Sequence, residues 1–209
     1  MIEAERLMRI KKLLAQEYPR PKTELKYNSP FQLLIATILS AQTTDKQVNK
    51  ITSSLFSDYP TPASFLSLSQ EELQQKIRSL GLYREKSRHI LELCRVLVTN
   101  YAEEIPNSRK ELMALPGVGR KTANVVLANA FNIPAFAVDT HVGRVARRLG
   151  LTQKSCPLAI ERDLCNQFKP EEWNEFHHRL IFHGRTYCRA RHPRCNDCFL
   201  YDLCPSKSS

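Results

Sequence analysis

The chain has 209 residues, enough for one large or two small domains. Its 31 Lys and Arg against 21 Asp and Glu leave a formal charge of +10, which favours a polyanionic partner over a merely solvated surface. The longest apolar stretch, residues 31–39, is interrupted by Gln32 and Thr37, and Glu3 and Glu5 precede any apolar run, so a membrane span and a secretory leader are excluded and a cytoplasmic protein is expected.

Helical spacing dominates, and no run alternates as strands do. Leu7, Ile10, Leu13 and Leu14 recur at helical intervals before a linker at Pro19, Pro21 and Thr23. Ser29-Pro30 reads as a cap followed by proline at the first helical position. The helix it opens is apolar on nearly every side and is expected to be the buried centre of a domain. It ends near Ser40-Ala41-Gln42-Thr43-Thr44-Asp45, with Asp45 expected to cap a helix over residues 45–56. Further helices are predicted over 70–80, with a Ser69/Glu72 capping box, and over 83–101, burying Ile90, Cys94, Leu97 and Tyr101. Gly81 between them marks the turn.

Ser108 caps a predicted short helix ending at Leu115, and Pro116-Gly117-Val118-Gly119 joins it to a second, forming a helix–hairpin–helix. Glycines let a backbone approach a ligand closely, and amides at a helix start carry partial positive charge. A phosphate of a nucleic-acid backbone fits such a turn, although Pro-Gly is also an ordinary helix connection; Arg120-Lys121 tips the reading toward phosphate. Ala123, Val126, Leu127, Ala130 and Phe131 form the apolar stripe of the second helix, and Lys121 lies off it. A lysine at the positive end of a helix dipole is expected to favour its free amine, a nucleophile able to form a Schiff base with a sugar carbon. The plainer reading of Lys121 is a phosphate contact or a solvated side chain. Pro134 is expected to end this helix, and three more fit residues 140–149, 157–168 and 171–187. Asp139 stands where it caps the first of these, or where, across a cleft from Lys121, it assists deprotonation of the amine and stabilises positive charge building on the sugar.

Four of the seven cysteines, Cys188, Cys195, Cys198 and Cys204, form C-x6-C-x2-C-x5-C. Their clustering near one end of a chain expected in a reducing compartment reads as metal ligation. Four thiolates hold either a 4Fe-4S cluster or a structural zinc; a single C-x2-C, where zinc ribbons use two, favours the cluster. The intervening loop would display Arg189, Arg191 and Arg194, either as a phosphate clamp or as a solvated basic loop. Cys94 and Cys165 read as core residues, and Cys156 is undecided.

Taken together, Ser40 to Asp45, Gly81-Leu82-Tyr83, Leu115 to Thr122, Val138-Asp139-Thr140-His141, His183-Gly184 and the four cysteines resemble, in order and spacing, the endonuclease III family of DNA glycosylases. The resemblance covers nearly the whole chain. It implies an all-α fold of two helical domains flanking a DNA-binding cleft, with a C-terminal 4Fe-4S cluster loop. One domain would be a six-helix body of residues 23–133 holding the helix–hairpin–helix. The other would join residues 1–22 to 134–209 and carry the cluster.

The resemblance further implies removal of oxidised pyrimidines from double-stranded DNA, followed by β-elimination at the abasic site. The target nucleotide would be flipped out. Lys121 would be the nucleophile, and the resemblance raises Asp139 from a cap to a catalytic group. Gln42 would fill the vacated space and Leu82 would wedge into the opposite strand; without the resemblance they are a polar helix-end residue and a loop anchor. Gly117, Gly119, Arg120, Arg189, Arg191 and Arg194 would meet phosphate, and His141 either does so or is an ordinary helix-start histidine. Association with the nucleoid, rather than any membrane, is expected. The chain stops five residues after Cys204, which argues against the adenine-mismatch branch and its additional domain. A monofunctional glycosylase and a non-catalytic DNA-binding module are the alternatives. No oligomer signal is present, and a monomer is expected.

Overall fold

The computed structural model describes residues 3–207, and among them the regular structure is entirely helical. In chain order the helices are α1 (Glu3–Glu17), α2 (Pro30–Leu39), α3 (Asp45–Asp58), α4 (Pro62–Phe65), α5 (Gln70–Ile77), α6 (Tyr83–Asn100), α7 (Arg109–Ala114), α8 (Arg120–Ala130), α9 (Thr140–Arg148), α10 (Pro157–Gln167) and α11 (Trp173–Thr186), with 3-10 turns at Pro170–Glu172 and Tyr201–Leu203. No helix among these residues is long and apolar enough to cross a membrane. The chain divides into two compact units, Thr23–Ile133 and a second that joins the N-terminal segment through Lys22 to the segment from Pro134 onward.

The Thr23–Ile133 unit is organised around α2. Ser29 caps it by accepting the Gln32 amide, and Pro30 occupies the first turn, where its missing N–H costs nothing. Every residue from Phe31 to Leu39 is buried, as its unbroken apolar character requires. It packs against α8, α3 and α6. The hydroxyl of Thr37 is satisfied by the Leu33 carbonyl at 2.7 Å.

The cap of α3 is Thr44, whose hydroxyl accepts the Gln47 amide, and not Asp45, which lies in the first turn near the positive helix end. The reciprocal Ser69/Glu72 box opens α5, which stops at Ile77 instead of Leu80. No element expected from the sequence corresponds to α4: four residues are too few for a periodic signal, and only its Thr61/Ser64 capping box marks it. Helix α6 buries Ile90, Leu91, Leu93, Cys94 and Leu97, whereas Tyr101 caps it half-exposed. The end of α8 precedes Pro134: Asn132 takes a left-handed φ of 54°, and the Ile133 amide closes back on the Leu127 carbonyl.

The second unit builds its core from α1, α9, α10, α11 and the cysteine tail. Ile10 and Leu14 of α1, Val142 and Val145 of α9, Phe176 and Leu180 of α11, and Leu200 of the tail are all nearly or fully buried in one cluster. The Phe176 and Phe168 rings meet at a tilt of 32° with centroids 3.8 Å apart. Cys165 only borders this core, half-buried, so its expected core position is shifted to the edge; Cys156 is exposed at the start of α10. Arg6 of α1 donates to the carbonyls of Leu149 at 2.7 Å, Leu203 at 3.1 Å and Gly150 at 3.3 Å, tying three chain segments together.

Replacing Arg6 with Met leaves those carbonyls without their charged donor. Arg6→Met is therefore expected to lower the unfolding free energy by about 2–3 kcal/mol in urea titrations. A change below about 0.5 kcal/mol would show that water satisfies the three carbonyls equally well.

Candidate functional site

The hairpin is built by two demands on the backbone. Ser108 caps α7 through the Glu111 amide, and Arg109 Nε donates to the fully buried Asn124 of α8 at 2.8 Å, locking the two helices together. Leu112, Leu115, Val118 and Ala123 are buried beneath the turn. Gly117 has φ +75°, and a Cβ there would lie 2.8 Å from the Cβ of His89 on α6, so both conformation and space require glycine. Gly119 differs: it has an ordinary φ of −88°, caps α8, and a Cβ would meet nothing within 4 Å. The space outside Gly119 is open, at the end of a helix whose first amides point outward. Arg120 and Lys121 are the first two residues of α8, and both are half-buried.

Asp139 lies in the second unit and does cap α9, its Oδ1 accepting the Val142 amide at 2.8 Å. Its other oxygen lies 3.4 Å from Nδ1 of His141, at ion-pair distance. Burial pushes the Asp139 carboxyl up, but the His141 imidazole, the Val142 amide and the nearby His177 outweigh it and hold the carboxyl well below the usual carboxylate range. The group is therefore a fixed anion at neutral pH. His177 of α11 also supports this segment, donating from Nδ1 to the Ala137 carbonyl at 2.7 Å.

Gln42 and Leu82 sit on two turns of the Thr23–Ile133 unit. Both are exposed, and both are left-handed, with φ of 56° and 59°. The turn expected at Gly81 is made by Leu82, which also caps α6; a Cβ on Gly81 would lie 3.8 Å from the Gln42 carbonyl, so the two turns are neighbours. Leu82 exposes 53% of its surface, a large apolar side chain held out in water.

The four tail cysteines line one cavity of about 180 Å³, together with Arg148, His183, Tyr187 and Tyr201. Among the described residues no group of three or more His, Cys, Asp or Glu side chains is arranged to hold a metal ion. Short turns form the tail: the Cys198 amide bonds the Cys195 carbonyl, and the Cys204 amide that of Tyr201. Two arginines of α9, four residues apart, brace it. Arg144 donates to the carbonyls of Cys188 and Gly184, and Arg148 to those of Arg189 and Ala190. Arg148 also lies 3.5 Å from the Cys188 sulfur, and His183 Nε2 lies 3.7 Å from that of Cys198. Arg189 and Arg191 are exposed, whereas Arg194 is engaged with Asp197 at 2.7 Å.

His177, Arg144 and Arg148 are not among the residues expected from the sequence. Arg144 and Arg148 carry a signal, their shared face of α9; His177 acts through tertiary contacts.

Residues 35–170 match the model of the HhH-GPD superfamily of base excision DNA repair proteins. The chain is 48% identical over 188 residues to endonuclease III of Bacillus subtilis (strain 168), covering 90% of this chain and 86% of that protein. A solved structure of a trapped endonuclease III–DNA covalent intermediate superposes with a TM-score of 0.95 at 47% identity, over 99% of this chain and 98% of that one. A thermostable thymine-DNA glycosylase, 24% identical, shares the fold with a TM-score of 0.87 over 97% of each chain.

Two stability predictions follow from the site's geometry. Gly117→Ala is expected to cost about 2 kcal/mol or more, and Gly119→Ala less than about 1, in equilibrium unfolding. Asp139→Ala is expected to cost about 1 kcal/mol more than Asp139→Asn, because asparagine keeps an oxygen for the Val142 amide. The stability that the depressed carboxyl contributes is complete above the unfolded aspartate range, near pH 4, and is lost as pH falls from there toward the folded value. The gap between wild type and Asp139→Asn should therefore narrow as unfolding is measured from pH 6 down to pH 3.

Proposed function

The chain belongs to the HhH-GPD superfamily of base excision DNA repair proteins, and we propose that it is a bifunctional DNA glycosylase and abasic-site lyase acting on oxidised pyrimidines in duplex DNA. The observation that carries the reading is Lys121, set in the first turn of α8 directly behind the open Gly119 turn. That turn offers outward amides to a phosphate, and Arg120 adds charge. A lysine beside a bound sugar–phosphate is placed to be the nucleophile, and the relative trapped as a covalent DNA intermediate supports this role.

In this mechanism the Lys121 amine attacks C1′ of the deoxyribose, the bond to the base breaks, and the base leaves with a proton from solvent. The attacking nitrogen passes a proton to O4′ as the C1′–O4′ bond cleaves, which gives the Schiff base. Loss of a C2′ proton then expels the 3′ phosphate, and water releases the lysine. Asp139, anionic at neutral pH, is better suited to stabilising the cation that develops as the base departs than to removing a proton from an ammonium group. Gln42 fills the space the flipped nucleotide vacates, and Leu82 wedges into the opposite strand. Gly117 shapes the phosphate turn, His141 adjoins Asp139 and the sugar–phosphate, and Arg189 and Arg191 clamp the backbone with Arg194 assisting.

Cys188, Cys195, Cys198 and Cys204 are proposed to hold a 4Fe-4S cluster. Their fit rests on the donor set: four thiols line one cavity, and Arg144 and Arg148 brace the tail that carries them. When bound, the cluster cross-links the tail, and the Arg189–Arg194 loop is held as one of its closed segments.

Borohydride trapping on a duplex with one thymine glycol tests the nucleophile. Wild type is expected to give a covalent adduct and Lys121→Gln none; an adduct surviving the substitution would assign the attack to another amine. Base release without an adduct in either protein would indicate a water nucleophile. Purified protein is expected to be yellow-brown with about four irons per chain. Colourless protein carrying zinc overturns the cluster assignment.

A further inference from the structure

Lys86 is a buried cation that this chemistry does not use. It is 4% exposed, on α6, one turn after Leu82. Its Nζ donates to the Leu39 carbonyl at 2.8 Å, the Ala41 carbonyl at 2.7 Å and the Thr43 hydroxyl at 3.3 Å. Two of these oxygens precede Gln42 and one follows it, so the ammonium group brackets that residue. The backbone amide of Lys86 bonds the Leu82 carbonyl at 3.0 Å. One residue thus holds both left-handed positions, Gln42 through its side chain and Leu82 through its main chain.

The chemistry at this point calls for lysine. Leu39 ends α2, where carbonyls lack intrahelical partners and the dipole is negative. An ammonium group offers three hydrogens from one atom to converging oxygens, which a planar guanidinium cannot do. All three acceptors are neutral, and burial lowers the lysine's pKa, so the bonds oppose a real desolvation penalty. An apolar side chain of similar length would leave two carbonyls of the Gln42 turn without these bonds.

We propose that Lys86 is a positioning residue that fixes the Gln42 turn against Leu82, setting the register in which the two side chains enter a duplex. The proposal rests on reading Gln42 and Leu82 as duplex-probing residues.

The test compares Lys86→Met, the double variant Gln42→Ala/Leu82→Ala, and the triple variant. Turnover is measured on a thymine-glycol duplex. Unstacking is followed by the fluorescence of 2-aminopurine beside an uncleavable abasic analogue. Borohydride trapping on a single-stranded abasic oligonucleotide, which needs no duplex opening, is the reference. Lys86→Met is expected to lower duplex kcat/KM by about 10- to 100-fold and to reduce the fluorescence change, with single-strand trapping unaltered. The double variant is expected to be impaired similarly, and adding Lys86→Met to it should cost little more. Equal losses on single-stranded and duplex substrates, or a full further loss in the triple variant, overturn the proposal. A double variant that handles the duplex normally overturns the reading of Gln42 and Leu82 themselves. An impaired double variant beside an intact Lys86→Met overturns the Lys86 role alone. If Lys86→Met does not fold, Lys86→Arg keeps the charge without the three-way convergence, and the same comparison decides.

Discussion

An α-helix cannot satisfy its own ends: four amides at one terminus and four carbonyls at the other have no intrahelical partner. In this all-helical chain that constraint organises stability and function together. Ser29, Thr44, Ser69, Ser108 and Asp139 each use a side-chain oxygen to satisfy a starting amide. Lys86 and Arg6 deliver charged donors to finishing carbonyls. The starts of α6, α8 and α10 have no side-chain cap, and of these α8 opens at the hairpin. At α8 the cap is Gly119, which has no side chain to satisfy the amides behind it. The same vacancy that weakens the helix start leaves it available to an anion.

Helix α6 has a corresponding role within the Thr23–Ile133 unit. Leu82, Lys86 and His89 follow one another at intervals of four and three, which places them along one face. Leu82 forms one turn itself, Lys86 grips the Gln42 turn, and His89 lies beneath Gly117 of the hairpin. Three loops distant in sequence are thereby referenced to one rigid element.

Much of this was legible in the sequence because it is local. Capping residues, the apolar run of α2 and the Gly117–Gly119 hairpin depend on neighbours within a few positions, so spacing reveals them. Asp139 illustrates the limit: its cap and the two largest influences lowering its carboxyl, His141 and the Val142 amide, are local, but His177, which adds to them, lies 38 positions away. Lys86 is the sharpest case. A lysine in a helix normally keeps its charge in water, and nothing near it in sequence announces three oxygens from another turn. The left-handed residue next to Gly81 was hidden for the opposite reason: glycine is the expected bearer of positive φ, yet Leu82 carries it.

That last feature bears on how this protein can be altered. Leu82 and Gln42 both occupy backbone conformations that glycine or asparagine tolerate better, at a cost of roughly 1 kcal/mol each. A library selected for heat tolerance would enrich glycine or asparagine at both positions and report success. If Gln42 and Leu82 enter the duplex as proposed, the resulting variants would be sturdier and blunter, because the side chains held out at those turns are what selection for stability discards first. On the roles proposed for Gln42 and Leu82, stability and duplex entry therefore pull these two positions in opposite directions.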